Sequence, residues 1–425
     1  MLAHPLRPHW SQNPRLFFFL LISVTVFGPA AIDFYLPAFP SIASQFNVSA
    51  AAVQATLSSF FAGFVIGMLV LGPLSDRFGR RPVLILSTVL YLLASIGCAF
   101  APSLPFLTLM RLLQGIGGCA GQTIGRAMIS DKSDRTETAR TLSLIWMITA
   151  LTPLVAPLIG GWVLEVAEWH AIFYIVSGLS FISLTLLVLA LPETLPPERR
   201  HSHSIANMAQ NYGKLALHKH YLAFCLSSAS VMTGFFTYLG SAPSVFMTYF
   251  GVSAQNFGYF FGAIVSGFIL GSFTNSKLVR KYGSEHLLKI GLRLNLGAAV
   301  FLNILTFTGI GGIYGVTIGM MFFTYSAAFI GGNAMAIGLS LFPKISGLAS
   351  ALMGMVQFGL GGTAIWIAGE LFSIDPTARP MAAMILLVSF GGFCAYHFLG
   401  QKLPTDGKGG AASVKKLDRV IEPTA

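Results

Sequence analysis

Charge is scarce in this sequence: only 10% of its 425 residues are Asp, Glu, Lys or Arg, against about 25% in an average soluble domain. Too few ionic side chains are present to coat a water-soluble globule. Acids are the scarcer sign, 15 against 26 Lys and Arg, for a formal net charge of +11. That excess gathers between apolar runs rather than on one polar face, a pattern that orients spans in a bilayer and argues against a nucleic-acid partner. Cys98, Cys119, Cys225 and Cys394 fall inside apolar runs with no CxxC spacing, which excludes a disulfide framework and a zinc site. Neither HExxH nor G-x-S-x-G occurs, and Gly115-Ile116-Gly117-Gly118 lies inside an apolar run rather than after a strand. Hydrolase, zinc-protease and dinucleotide-site readings therefore have no foothold, and an enzyme is not expected. No ring of like charges suggests a channel.

What is abundant is apolar: 54% of the residues, with a mean hydropathy of +0.73. Runs of spanning length lie at about 16–38, 50–72, 82–101, 104–129, 139–163, 170–191, 220–245, 256–276, 285–307, 311–338, 345–371 and 380–400. Twelve spans leave only short connections, so a large extramembrane domain is excluded. Placing the N-terminus inside puts Arg77, Arg80, Arg81, Lys132, Lys277, Arg280, Lys281 and the basic tail on one side, while the opposite loops carry only Arg379. Both termini are then expected in the cytoplasm. The basic start before an apolar stretch mimics a secretory signal, but the span count and the charge asymmetry both need it as an uncleaved first span.

The longest polar interruption, 193–219, falls between spans six and seven. It divides the chain into a cytoplasmic tail (1–15), an N-terminal six-helix bundle (16–192), a cytoplasmic linker (193–219), a C-terminal six-helix bundle (220–400) and a second tail (401–425). The linker histidines at 201, 203, 218 and 220 lack a Cys or carboxylate cluster, and a solvated linker is a better reading than a metal tract. A repeat supports the same cut. Gly72-Pro-Leu-Ser-Asp76-Arg77-Phe-Gly79-Arg80-Arg81 after span two returns after span eight as a longer copy from Gly271 to Gly283, with Asn275 in place of Asp76. Parallel six-span repeats are a known transporter plan.

The segment from Gly72 to Arg81 is similar to the signature loop G-x-L-x-D-R-x-G-R-R of the major facilitator superfamily, and the resemblance extends over about residues 16–400. The glycines allow a tight turn, Asp76 is read as an anion near a helix N-terminus, and the arginines hold the loop to the cytoplasmic face. The resemblance implies an all-α membrane protein of twelve helices in two pseudo-symmetric bundles, with Gly72, Asp76, Arg77, Gly79, Arg80 and Arg81 in a gating loop. Arg111-Leu-Leu-Gln114-Gly115 in span four resembles the R-x-x-Q-G motif of proton-coupled members. Thr152-Pro153-Leu-Val-Ala156-Pro157-Leu-Ile-Gly160-Gly161 resembles the antiporter motif, with two of its glycines replaced. Pro153 and Pro157 bend the helix, and Gly160 and Gly161 permit close approach, for which Gly258 and Gly262 of span eight offer a partner track. Trp169-His170, Leu191-Pro192-Glu193-Thr194 and the region around Gln357 look like the bicyclomycin and chloramphenicol resistance branch, whose members are bacterial inner-membrane drug–proton antiporters.

An arginine in a bilayer span faces a cavity or a partner. Asp33 lies five residues before the expected outer end of span one and Arg111 seven residues into span four, similar depths at about 1.5 Å per residue, so the two are expected to meet. Gln114 shares the face of Arg111. With 36 Phe and 12 Tyr, the cavity is expected to be aromatic and suited to an amphiphilic organic substrate. Tyr35, Gln122, Tyr238, Asn333 and Gln357 are its candidate polar lining. The expected function is proton-driven export by a monomer with no cofactor, its partners being the substrate, protons and lipid. An importer or dedicated metabolite exporter of the same fold is the rival.

Overall fold

The computed structural model describes residues 14–132, 135–200, 205–342 and 345–400. Residues 1–13 of the expected N-terminal tail (1–15), the expected tail at 401–425 and the linker positions 201–204 lie outside those residues. Among the described residues every regular element is helical. Span one is α1 (Pro14–Asp33), a 3₁₀ turn (Leu36–Ala38) and α2 (Phe39–Phe46); spans two and three are α3 (Ala50–Phe78) and α4 (Arg80–Ala99). Span four is α5 (Leu104–Gly118), a π-helical turn (Gly121–Gly125) and α6 (Arg126–Lys132), followed by α7 (Arg135–Val166) and α8 (His170–Ala190). The linker carries α9 (Ile205–Ala216). Span seven is α10 (Lys219–Ala242) with a π-helical end (Pro243–Tyr249), and spans eight and nine are α11 (Ala254–Tyr282) and α12 (Ser284–Thr308). Span ten is split into α13 (Gly312–Ala327) and α14 (Gly331–Ser340), and α15 (Ser346–Ile374) and α16 (Arg379–Ala395) complete the set.

Ten of these stretches are each long and apolar enough to cross a bilayer; spans four and five make up the twelve. Span one is longer than expected, running from Leu16 to Phe46 rather than ending near residue 38. Pro37 and Pro40 remove backbone donors, so the chain breaks its helix after Asp33 and resumes it at Phe39. Splits of this kind are tolerated in a bilayer only where protein or a cavity satisfies the freed backbone groups.

The sequence repeat is also a repeat of backbone geometry. Gly79 (φ 103°, ψ 151°) ends α3 and starts α4, and Gly283 (φ 76°, ψ 157°) stands in the same place between α11 and α12. Both adopt a conformation open to glycine and strained for other residues.

By contact the chain divides into two compact units. The first comprises Met1–His203, Leu239–Gly262 and Ile365–Thr377; the second comprises Ser204–Tyr238, Ala263–Ala364 and Ala378–Ala425. These units cut across the two six-span stretches, because the first takes in the ends of spans seven, eight and eleven. Inside it, spans two and four run almost backbone to backbone: a Cβ on Gly63 would strike the Leu112 carbonyl, and one on Gly115 the Phe60 carbonyl. Small residues are what allow such approach. The second unit has its own core of Tyr221, Phe224, Leu288, Ile330, Met353 and Tyr396.

Candidate functional site

The close approach of α3 and α5 decides what surrounds Arg111, which is wholly buried. Its guanidinium lies 4.4 Å from the Tyr35 ring centroid, 4.6 Å from Phe60 and 6.0 Å from Phe173. Desolvated cation–π contacts of this kind are worth about 2 kcal/mol or more. Nη1 donates to the Ala31 carbonyl at 3.0 Å and to Gln114 Oε1 at 2.6 Å. Ala31 belongs to the last turn of α1, whose carbonyls have no intrahelical partner. Phe34 N–H serves the Ala30 carbonyl, Tyr35 N–H serves Ile32, and Arg111 serves Ala31. The arginine therefore caps the broken end of span one, where the helix dipole favours a cation.

The expected meeting of Asp33 with Arg111 is not made. Among the described residues Asp33 forms no ion pair, its Oδ2 is buried without a hydrogen-bond partner, and Arg111 Nε and Nη2 are likewise unpartnered. The depths do match, since Arg111 meets Ala31 and Tyr35 on either side of Asp33, but the broken helix end turns other groups toward the guanidinium. Arg111 found the α1 carbonyl and three rings instead of the carboxylate. Gln114 does share its face, and it passes the network on: Nε2 donates to Ser95 Oγ at 2.8 Å, and Ser95 donates to the Tyr91 carbonyl at 2.7 Å. Tyr35 is fully buried, its hydroxyl 2.7 Å from Thr56 Oγ1. Thr56 already donates to the Val53 carbonyl, so Tyr35 is the donor of that bond.

The other candidates fall in different places. Gln122 is half-buried in the π turn of span four, and Tyr238 is fully buried. Asn333 donates to Asn275 Oδ1 and to the Phe329 carbonyl, both at 2.8 Å, tying span ten to the second copy of the signature loop rather than standing free in a cavity. Gln357 donates to Ser228 Oγ at 2.8 Å.

In the first copy of the loop, Asp76 sits in the last turn of α3 and pairs with Arg80 at 2.5 Å. It is not the anion at a helix start. That place belongs to Glu193, whose carboxylate accepts from the first two amides of α4, Arg80 N at 3.0 Å and Arg81 N at 3.3 Å, and lies 3.8 Å from Arg200. A Cβ on Gly79 would collide with it. Arg80 also bonds Asp131 at 3.3 Å, Arg81 bonds the Val188 carbonyl at 2.8 Å, and Thr194 bonds Asp131 at 3.0 Å. Arg77 lies 5.1 Å from the Phe78 ring, and Gly72 has only the Thr123 methyl near its Cβ position.

In α7, Gly160 has the Phe34 carbonyl and Pro37 against it, and Gly161 the Ala254 carbonyl. Pro157 is buried and Pro153 half-buried. Gly258 packs on Leu158 and Gly262 on Leu154, so the span five and span eight tracks meet within the first unit. Sequence reasoning missed Phe60, Thr56 and Ser95 as partners, since nothing local distinguishes them from packing residues, and it noted Glu193 as part of a motif leaving span six without its contact to α4.

Twelve bilayer-crossing helices, together with a buried arginine that caps a broken span and a cation-rich loop held by carboxylates, define a membrane transporter, not an enzyme. The model of the Major Facilitator Superfamily matches residues 18–366, and the chain belongs to that superfamily. It is 32% identical to a bicyclomycin resistance protein homolog of Haemophilus influenzae over 92% of this chain and 98% of that one. It is 26% identical to the multidrug resistance protein MdtL of Shewanella oneidensis over 84% of this chain and 89% of the relative. Its fold is similar to the crystal structure of a D-xylose–proton symporter, with a TM-score of 0.70 at 18% identity, covering 89% of this chain and 97% of the other.

Proposed function

We propose that the protein is a proton-coupled exporter of amphiphilic drugs or related small organic molecules, working by alternating access in the bacterial inner membrane with both termini in the cytoplasm. The names of the relatives in Haemophilus and Shewanella support the substrate class. The observation that carries the coupling is Asp33, 2% exposed at the broken end of α1, with Oδ2 unpartnered. A buried carboxylate is satisfied by a proton or by a positive group. An antiporter exchanges those two states, so substrate or Arg111 would meet Asp33 in one conformation and a proton would hold it in another. Arg111 and Gln114 position the broken helix end, and Tyr35 and Gln122 are the polar groups of the first unit proposed to contact substrate. The loop of Asp76, Arg77, Arg80 and Arg81 acts in gating. No cofactor is needed beyond the proton gradient, and the working unit is a monomer.

The test is substrate-induced proton release from purified wild-type and Asp33→Asn protein, against a panel of amphiphilic compounds. Release should be lost in the variant while binding of at least one compound survives. Undiminished release would move the coupling elsewhere.

A further inference from the structure

Gln54 is wholly buried in the first turns of α3, in the first compact unit, and belongs to none of the motifs above. Its Nε2 donates at 2.8 Å to Ser244 Oγ, 190 residues away on the π-helical end of span seven, where Ser244 is also buried. Its Oε1 has no partner. The same side chain rests on Gly369 of span eleven, where a Cβ would come within 2.7 Å of Oε1 and 3.3 Å of the Ala51 Cα. Three spans thus converge on one amide, one hydroxyl and one missing side chain.

We infer that Gln54, Ser244 and Gly369 form a polar clasp that holds the outer ends of spans two, seven and eleven together during the closed part of the transport cycle. "Outer" rests on the orientation given under Proposed function. The clasp is only half satisfied, and that is its use. A fully bonded buried amide would favour closure strongly, whereas an orphaned Oε1 gains a water partner when the ends part. Closure is therefore held by one directional bond and opposed by one desolvated acceptor, a balance suited to a contact that must break in every cycle. The Gly161 contact with the Ala254 carbonyl and the Gly258 contact with Leu158 lie in the same unit but involve no polar side chain, and they carry no such directional element.

Full-length protein in lipid nanodiscs, spin-labelled at the exposed positions Ser44 and Thr248, reads the separation by pulsed electron resonance. Ser244→Ala, which strands the Gln54 donor beside its already orphaned acceptor, should raise the long-distance population several-fold. Gln54→Ala, which removes the bond and the orphaned acceptor together, should raise it less, the double variant should resemble Gln54→Ala rather than add to Ser244→Ala, and Gly369→Val should open the ends as Ser244→Ala does. Gly178→Ala, where a Cβ meets open space, should match wild type. A packing role alone would leave Ser244→Ala unchanged. An unaltered distribution in Ser244→Ala, or additive effects in the double variant, overturns the clasp. The readout involves neither substrate nor protons, so failure of the drug–proton reading would leave it standing, and the reverse holds too.

Discussion

At the scale of single residues, Arg111 is held by geometry that lysine cannot copy. A planar guanidinium lies over the Tyr35 and Phe60 rings while one nitrogen bonds both Ala31 and Gln114; an ammonium is a compact, strongly hydrated point charge. Arg111→Lys should keep the charge yet reduce transport at least 10-fold, measured as uptake into inverted vesicles. Arg111→Ala should also lower thermal stability, by about 2–4 kcal/mol, since it uncaps a buried helix end and empties the aromatic cage. Glu193 makes a milder claim. Glu193→Gln retains an acceptor but loses the charge at the α4 N-terminus and the pair with Arg200, and a loss of about 1 kcal/mol in chemical unfolding is expected.

At the scale of elements, two contacts are open to direct test. The packing of α3 on α5 rests on the missing side chains of Gly63 and Gly115. Gly115→Val would push the α5 backbone away from Phe60 and displace Arg111, so it should cost about 1–3 kcal/mol in thermal unfolding and impair transport as well. The second contact lies where the linker meets span seven. His218 Nδ1 accepts the Tyr221 N–H at 3.3 Å at the start of α10, and its ring packs edge-on to Phe342. Burial, with the neighbouring His220, holds the His218 imidazole below its ordinary range. A histidine depressed on folding contributes stability above its unfolded value of about 6.5 and loses it as pH falls through the lower folded value. Thermal stability should therefore decline on acidification below about pH 6.5. His218→Asn, which can still accept the amide proton, should flatten that decline.

At the scale of the whole molecule, orientation is what charge dictates and what labelling can read. With basic loops on one side and a lone Arg379 on the other, a cysteine at Arg200→Cys should be unreactive to membrane-impermeant thiol reagents in intact cells and reactive in inverted vesicles. Labelling from outside intact cells would reverse the topology and, with it, the sense of the clasp. Direction of transport is separately measurable: cells lacking the protein should accumulate more of an amphiphilic substrate, and lower accumulation would favour the importer.

Apolar run length, the basic loops, the twelve spans, the repeat and the superfamily were legible in the sequence because each depends on local composition or on residues close together in the chain. Arg111 and Gln114 as a unit were legible for the same reason, being three apart on one helix. Asp33 was legible as a carboxylate at the depth of Arg111, but its failure to pair was not, because which side chain faces the guanidinium depends on how the helix breaks before Pro37 and Pro40. Asp76 proves not to be the anion at the helix start for a similar reason: that anion, Glu193, comes from 113 residues away. Gln54 reads in sequence as any polar residue in a span. Only the tertiary fold gives it Ser244 across 190 residues and a seat at Gly369, since a hydrogen bond between distant helices is set by packing, not by spacing along the chain.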